Sequence, residues 1–112
     1  MAAGDVVIIG SARLGQLHFV WGTVTLDGSN ATPIQLSGYM SAVQMGVANI
    51  QGSVATGADP NQISVVVNGT SLDMYAWKVT TGGAAGNPTE VASTDNARLV
   101  NWMAIGPVRA GS

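Results

Sequence analysis

The sequence contains no cysteine, which excludes disulfide bonds, thiolate chemistry and cysteine-based zinc sites together. It also has little charge, because Lys and Arg number 4, Asp and Glu number 6, and charged residues make up only 9% of the chain. An ordinary soluble domain carries about 25%. The cations Arg13, Lys78, Arg98 and Arg109 are scattered along the chain. We therefore expect no nucleic-acid partner, since binding to phosphates requires clustered positive charge.

Long hydrophobic runs are missing as well. No stretch approaches the roughly 18 continuous apolar residues of a membrane span, so we expect no membrane partner. The opening segment "MAAGDVVIIGSARLG" lacks the basic region of a signal peptide. Yet hydrophobic residues make up 46% of the chain, and the mean hydropathy is +0.30. So few charges cannot cover a small domain, and we expect part of its surface to be buried against other chains.

The residues that are present are typical of an all-β protein. Fifteen Gly and four Pro separate short runs rich in Val and Thr. The sequence predicts a single-domain β-sandwich or jelly-roll-like barrel of about eight short antiparallel strands. We assign residues 1–16 to an N-terminal arm or first strand and residues 17–112 to the sandwich domain. Strands are expected near residues 5–9, 17–26, 34–37, 40–52, 62–67, 70–80, 89–93 and 97–105.

The segment "ISVVVNGTSLDMYAWKV" predicts a β-hairpin. Asn68 and Gly69 are suited to a two-residue type I′ turn, because both central positions of that turn need a positive φ. This turn predicts three apolar cross-strand pairs, Val67 with Thr70, Val65 with Leu72 and Ile63 with Met74. Beyond these pairs the apolar positions change to Tyr75, Trp77 and Val79. The change indicates either a bulge near residues 74–75 or a strand that is covered on both faces.

Candidate catalytic residues are few. His18 is the sole histidine and has no acidic neighbour, so we expect it to be half-buried and hydrogen-bonded to the backbone. In "DGSNAT", Asp27 suits a turn better than a calcium loop. We find no paired carboxylates and no G-x-S-x-G segment. We therefore expect no enzyme, no cofactor and no metal. The acidic residues considered are Asp5, Asp27, Asp59, Asp73, Glu90 and Asp95.

Apolar residues on both faces of a strand indicate an interface. In "VNWMAIG", residues 100–106, side-chain alternation places large apolar groups on both sides. The run at residues 6–9 would be prone to aggregate as a free arm, so we expect it to join a sheet edge of its own domain or of a neighbour. Two alternatives remain: the three Trp fill the core, or exposed aromatic rings bind carbohydrate. The candidate interface residues are Val6, Val7, Ile8, Ile9, Tyr75, Trp77, Trp102, Met103 and Ile105.

The segments "GTVTLDGSNATPIQL", "GADPNQISVVVNGTSLDMYAWK" and "NPTEVASTDNARLVNWMAIG" resemble small virion proteins of tailed bacteriophages, in particular capsid decoration (cement) proteins. The resemblance covers residues 21–106 and consists of hydrophobic alternation, turn residues and a terminal W-x-A-I-G. The ending "VNWMAIG" also resembles the last strand of β-sandwich modules in phage fibres and some small lectins.

The resemblance implies a non-enzymatic structural protein of the virion, located on the outer surface of the capsid and stabilising it. Its partners would be the major capsid protein and other copies of itself, as a dimer or trimer. Two alternatives stay open. The chain could be a tail-fibre or spike module that binds host-surface glycans, or a structural subunit of the tail or of the head–tail connector.

Overall fold

The computed structural model describes residues 4–29, 31–51, 60, 62–81, 88–93 and 98–109, and it confirms the all-β, sandwich-like fold. Among the described residues, there is no helix long and apolar enough to cross a membrane. Two antiparallel sheets are formed, the first ordered β1-β2-β8-β4 and the second β3-β6-β5, with β7 pairing to β6. The strands are β1 (Val6–Leu14), β2 (Leu17–Thr25), β3 (Thr32–Gln35), β4 (Met45–Ile50), β5 (Gln62–Asn68), β6 (Ser71–Thr81), β7 (Pro88–Ala92) and β8 (Leu99–Pro107).

The first sheet contains both the first strand, β1, and the last strand, β8. Strands β2 and β8 pair along their whole length, from Leu17 opposite Pro107 to Thr25 opposite Leu99. Strand β1 pairs with β2 at one edge, and a register shift between Ile8 and Gly10 leaves a bulge there. The apolar run of residues 6–9 therefore joins a sheet of its own domain. β1 is longer than the predicted 5–9 because its ladder with β2 continues to Leu14.

The core lies between the inner faces of the two sheets. Alternate residues of β2 and β8 point inward, and β3 and β6 supply the opposing side chains. A Cβ atom added to Gly46 on β4 would lie 2.5 Å from Leu72 Cδ1, so this position lets the two sheets approach closely. The buried core residues are Val20, Val24, Leu26, Ile34, Leu36, Met40, Val43, Leu72, Met74, Ala76, Val100, Trp102 and Ala104.

The predicted strand 40–52 is only partly correct, because β4 spans residues 45–50. The amides of Tyr39 and Met40 both donate to the Leu36 carbonyl, which turns the chain before β4 begins. Met40 then forms an isolated bridge with Val108. The hydrophobic residues of this segment therefore reach the core from a turn rather than from a strand. The remaining boundaries differ by a few residues, as is usual for element ends.

The predicted hairpin register is wrong by two residues. Asn68 pairs with Ser71, so the two central turn residues are Gly69 and Thr70. Gly69 has a φ of 62°, and glycine at the first central position fits a type II′ turn. The Ser71 hydroxyl donates to Asp73 Oδ1 at 2.5 Å, and Asn68 Nδ2 donates to Asp73 Oδ2 at 3.3 Å, which ties this end of the hairpin together.

The shift by two leaves each side chain on its predicted face, because strand side chains alternate with a period of two. Pairing of β5 with β6 continues without a break to Gln62 opposite Trp77. Of the two alternatives for residues 74–75, the bulge is therefore absent. Residues 52–59 and 82–87, which connect predicted strands, lie outside the described residues. The acids Asp59 and Asp95 and the side chains of Val79 and Glu90 also lie outside them.

Candidate assembly face

One outer surface of the sandwich is apolar. It lies in the part of the first sheet where the side chains that point away from the core are apolar, and we call it the apolar outer face. None of its members carries a charge. The members are Ala12 and Leu14 of β1, Leu17, Phe19 and Trp21 of β2, Met45 and Val47 of β4, and Met103 and Ile105 of β8.

Strand register makes this face continuous. One row of directly paired residues crosses all four strands, as Ala12, Phe19, Ile105 and Met45. The adjacent row contains Gly10, Trp21, Met103 and Val47. Directly opposite side chains on one face of an antiparallel pair lie about 4.5–5.5 Å apart at Cβ. The large side chains therefore touch their neighbours and form one surface rather than separate spots.

The apolar outer face is open to solvent. Leu14 is 70% exposed, Met45 56%, Val47 55% and Trp21 37%. Phe19 and the outward residues of β8 are half-buried because strands flank them on both sides. Scattered exposed apolar residues are normal, but a continuous patch marks an interaction site or an aggregation hazard. Strand β8 is therefore apolar on both sides because one side faces the core and the other belongs to the apolar outer face.

The surface is level around Trp21 because Gly10 lies opposite it. A Cβ atom on Gly10 would be 2.6 Å from Trp21 Cζ2, so the indole lies directly over the glycine backbone. Further along the sheet, the surface becomes polar. Val47, Asn49, Asn101 and Met103 line a shallow open depression of about 340 Å³. Beside this depression, Gln51 Nε2 donates a hydrogen bond to Asn101 Oδ1 at 3.2 Å. Hydrogen-bonding groups therefore border the apolar outer face at this end.

The outer surface of the second sheet is different. We call it the polar outer face. Tyr75 and Trp77 lie on it with their rings 6.4 Å apart between centroids and their planes 15° apart. Val66 is an exposed apolar residue there, at 47%. The other members are Pro33, Gln35, Gln62, Ser64, Asn68, Ser71 and Asp73.

The candidate interface residues do not form one surface. Met103 and Ile105 lie on the apolar outer face, and Val7 extends the same side of β1. Ile9 occupies the bulge and is 64% exposed. Trp102, in contrast, is 3% exposed and packs inside the sandwich, so it belongs to the core rather than to a surface.

The remaining candidates lie elsewhere. Ile8 packs against the core, and Val6 is paired with the inward residue Val24. Tyr75 and Trp77 lie on the second sheet.

Sequence reasoning missed most of the apolar outer face. The missed residues are Ala12 and Leu14 on β1, Leu17, Phe19 and Trp21 on β2, and Met45 and Val47 on β4. A signal was present in "LHFVWG", where apolar residues fall at both parities of the strand, as they do in "VNWMAIG". The sequence does not state that β2, β8 and β4 are neighbours, because residues far apart in the chain form these pairs.

The structure confirms the prediction for His18. Its Nδ1 lies 2.6 Å from the Tyr39 carbonyl oxygen, and since a carbonyl only accepts, this nitrogen donates. The ring also makes an edge contact with the Tyr39 ring, at 5.9 Å between centroids. His18 therefore fastens the turn after β3 to strand β2.

The prediction that Asp27 is a turn residue is also confirmed. Asp27 Oδ1 accepts hydrogen bonds from the Ser29 amide, the Ser29 hydroxyl and the Thr32 hydroxyl, at 2.9, 2.6 and 2.8 Å. Partial burial raises the pKa of Asp27, but these hydrogen bonds outweigh it and the net pKa is lowered. In the part of the chain that the structure describes, no group of three or more His, Asp or Glu side chains could hold a metal ion.

Comparison of the chain with family models, with curated proteins and with solved structures finds no match.

Proposed function

We propose that the chain is a non-enzymatic structural protein of a phage particle that decorates and stabilises the capsid, with the apolar outer face as an assembly interface. The observation that carries this proposal is the uncharged, continuous and exposed character of that face. Removing apolar surface from water contributes roughly 25 cal/mol per Å². Covering this face with another protein surface would therefore be favourable in free energy. The phage capsid is proposed as the site of assembly because the sequence resembles capsid decoration proteins.

A decoration protein does not need a tight individual contact. Many copies act on one shell, so modest contacts between copies and between copy and capsid together reinforce the lattice. Because the interface side chains are uncharged, association through this face should depend weakly on salt, unlike association between charged surfaces.

The test is co-sedimentation of the purified protein with expanded phage heads from which it has been stripped. We expect saturable binding at a stoichiometry that matches the lattice symmetry, and heads that resist heat better once they are loaded. The matched control is a Val66→Lys protein, which is altered on the polar outer face only. Absence of binding to heads over the whole titration would refute the capsid proposal.

One observation favours a second candidate function, a tail-fibre or spike module that binds host-surface glycans. The near-parallel rings of Tyr75 and Trp77 lie on the polar outer face beside hydrogen-bonding side chains such as Ser64. Sugars pack their apolar faces on aromatic rings and hydrogen-bond at their edges. A glycan panel decides between the two functions: glycan binding that is lost in Trp77→Ala, without binding to heads, would replace the capsid proposal.

A further inference from the structure

We propose that the partner of the apolar outer face is a second copy of this chain, with the two faces packed against each other around a two-fold axis. This inference rests on the proposed function, because it names the partner of the same face. The resulting dimer would then be the unit that joins the particle.

The first argument is charge. In a two-fold contact the same patch meets itself, so a charged residue near the axis faces its own copy. Like charges placed opposite each other cost several kcal/mol at interfaces in general. The apolar outer face carries no Asp, Glu, Lys or Arg, and its bordering polar residues include Asn49 and Asn101, whose neutral amides both donate and accept. A patch of this composition can therefore meet a copy of itself without repulsion.

The second argument is shape. Two sheets of equal twist pack face to face with their strands roughly aligned, about 10 Å apart. The apolar outer face belongs to the same sheet whose inner face already packs against the second sheet. Gly10 keeps the Trp21 indole close to the sheet, so the ring adds area without a steep projection. A second copy offers a surface of identical twist, which an unrelated partner does not.

The third argument is area. Four strands spaced about 4.8 Å apart, with rows of outward residues about 6.8 Å apart, give four rows from Leu14 to Asn49 a projected area of about 500 Å². Two copies together would bury on the order of 1,000 Å², which is the lower limit for a specific interface. The apolar outer face, together with the bordering row that ends at Asn49, is therefore large enough for a dimer.

The test compares two valines that share residue type and exposure but lie on opposite outer faces. Val47, on the apolar outer face, is 55% exposed, and Val66, on the polar outer face, is 47% exposed. The mass of the wild type, Val47→Lys and Val66→Lys is measured by light scattering and sedimentation over a range of concentrations. We expect the wild type and Val66→Lys to be dimers. The Val47→Lys dimer should have a dissociation constant at least about tenfold higher than that of the wild type, because its interface would bury an unpaired ammonium group.

A second readout does not depend on the folding of a lysine variant. Because the chain contains no cysteine, Val47→Cys and Val66→Cys each introduce a single reactive thiol. A short thiol-specific cross-linker should join two chains of Val47→Cys and not of Val66→Cys. Wild type that stays monomeric, a trimer, or cross-linking through position 66 would overturn the inference.

The two proposals fail separately. A monomer that still saturates phage heads would overturn the dimer and leave the capsid proposal standing. A dimer that does not bind heads would do the reverse.

Discussion

The two outer faces of the sandwich are built from strands of similar construction, yet they differ in the side chains that they present to solvent. On the first sheet, Phe19, Trp21 and Met103 form part of an uncharged surface. On the second sheet, Ser64 and Asp73 occupy equivalent outward positions. The polar side chains are therefore not spread evenly between the two outer faces. The composition indicates that some of the surface is apolar. The pairing of the strands determines that this apolar surface lies on one side of the molecule.

The largest expected effect separates the core from the apolar outer face. Leu72 is fully buried against Gly46, so Leu72→Ala should lower the free energy of unfolding by about 2–5 kcal/mol. Leu14, which is 70% exposed on the apolar outer face, should change it by no more than about 0.5 kcal/mol when replaced by Ala. Urea unfolding at low protein concentration, where association does not contribute, measures both.

The description of this face as exposed would be wrong if Leu14→Ala lowered the free energy of unfolding as much as Leu72→Ala does in dilute protein. The apolar outer face would then be covered within the single chain, and its exposure could not drive assembly.

An intermediate effect concerns the turn that sets the register of the polar outer face. Gly69 has a left-handed φ of 62°, so Gly69→Ala should destabilise the protein by about 1–2 kcal/mol. Gly38 is the matched control, because it has open space around its Cβ position and no left-handed φ. Gly38→Ala should not destabilise the protein. Thermal unfolding of the two variants makes the comparison, and equal losses would mean that the Gly69–Thr70 turn does not form.

The smallest effect lies in the loop that joins the two sheets, where Asp27 connects β2 to β3. Its pKa is lowered in the folded protein, so its hydrogen bonds stabilise the fold fully above the ordinary Asp pKa of about 3.9. This stabilisation is lost as the pH falls through the lowered pKa. The stability gap between wild type and Asp27→Asn should therefore shrink on acidification. A gap that stays constant between about pH 7 and pH 2 would contradict this account.

The sequence allowed the all-β class, the hairpin around Gly69 and the turn role of Asp27 to be predicted, because alternation and turn chemistry are local. The hairpin register was missed because Asn68 and Gly69 both suit a turn, and hydrogen bonds from Asn68 and Ser71 to Asp73 decide between the alternatives. The apolar outer face was only partly predicted. Met103 and Ile105 were among the candidate residues, but their neighbours on β2 and β4 are about 55–85 residues away in the chain, and alternation carries no information about such pairings.

The bulge at Ile9 makes the exposed edge of β1 irregular. A straight edge strand is a template on which further strands can add without limit, and the product is a fibril. The extra residue interrupts the regular ladder of β1, so the edge is a poor template for continuous growth. A face-to-face contact is saturated by one partner, whereas an edge is not. Removal of Ile9 should straighten this edge, and further strands should then add to β1 more readily.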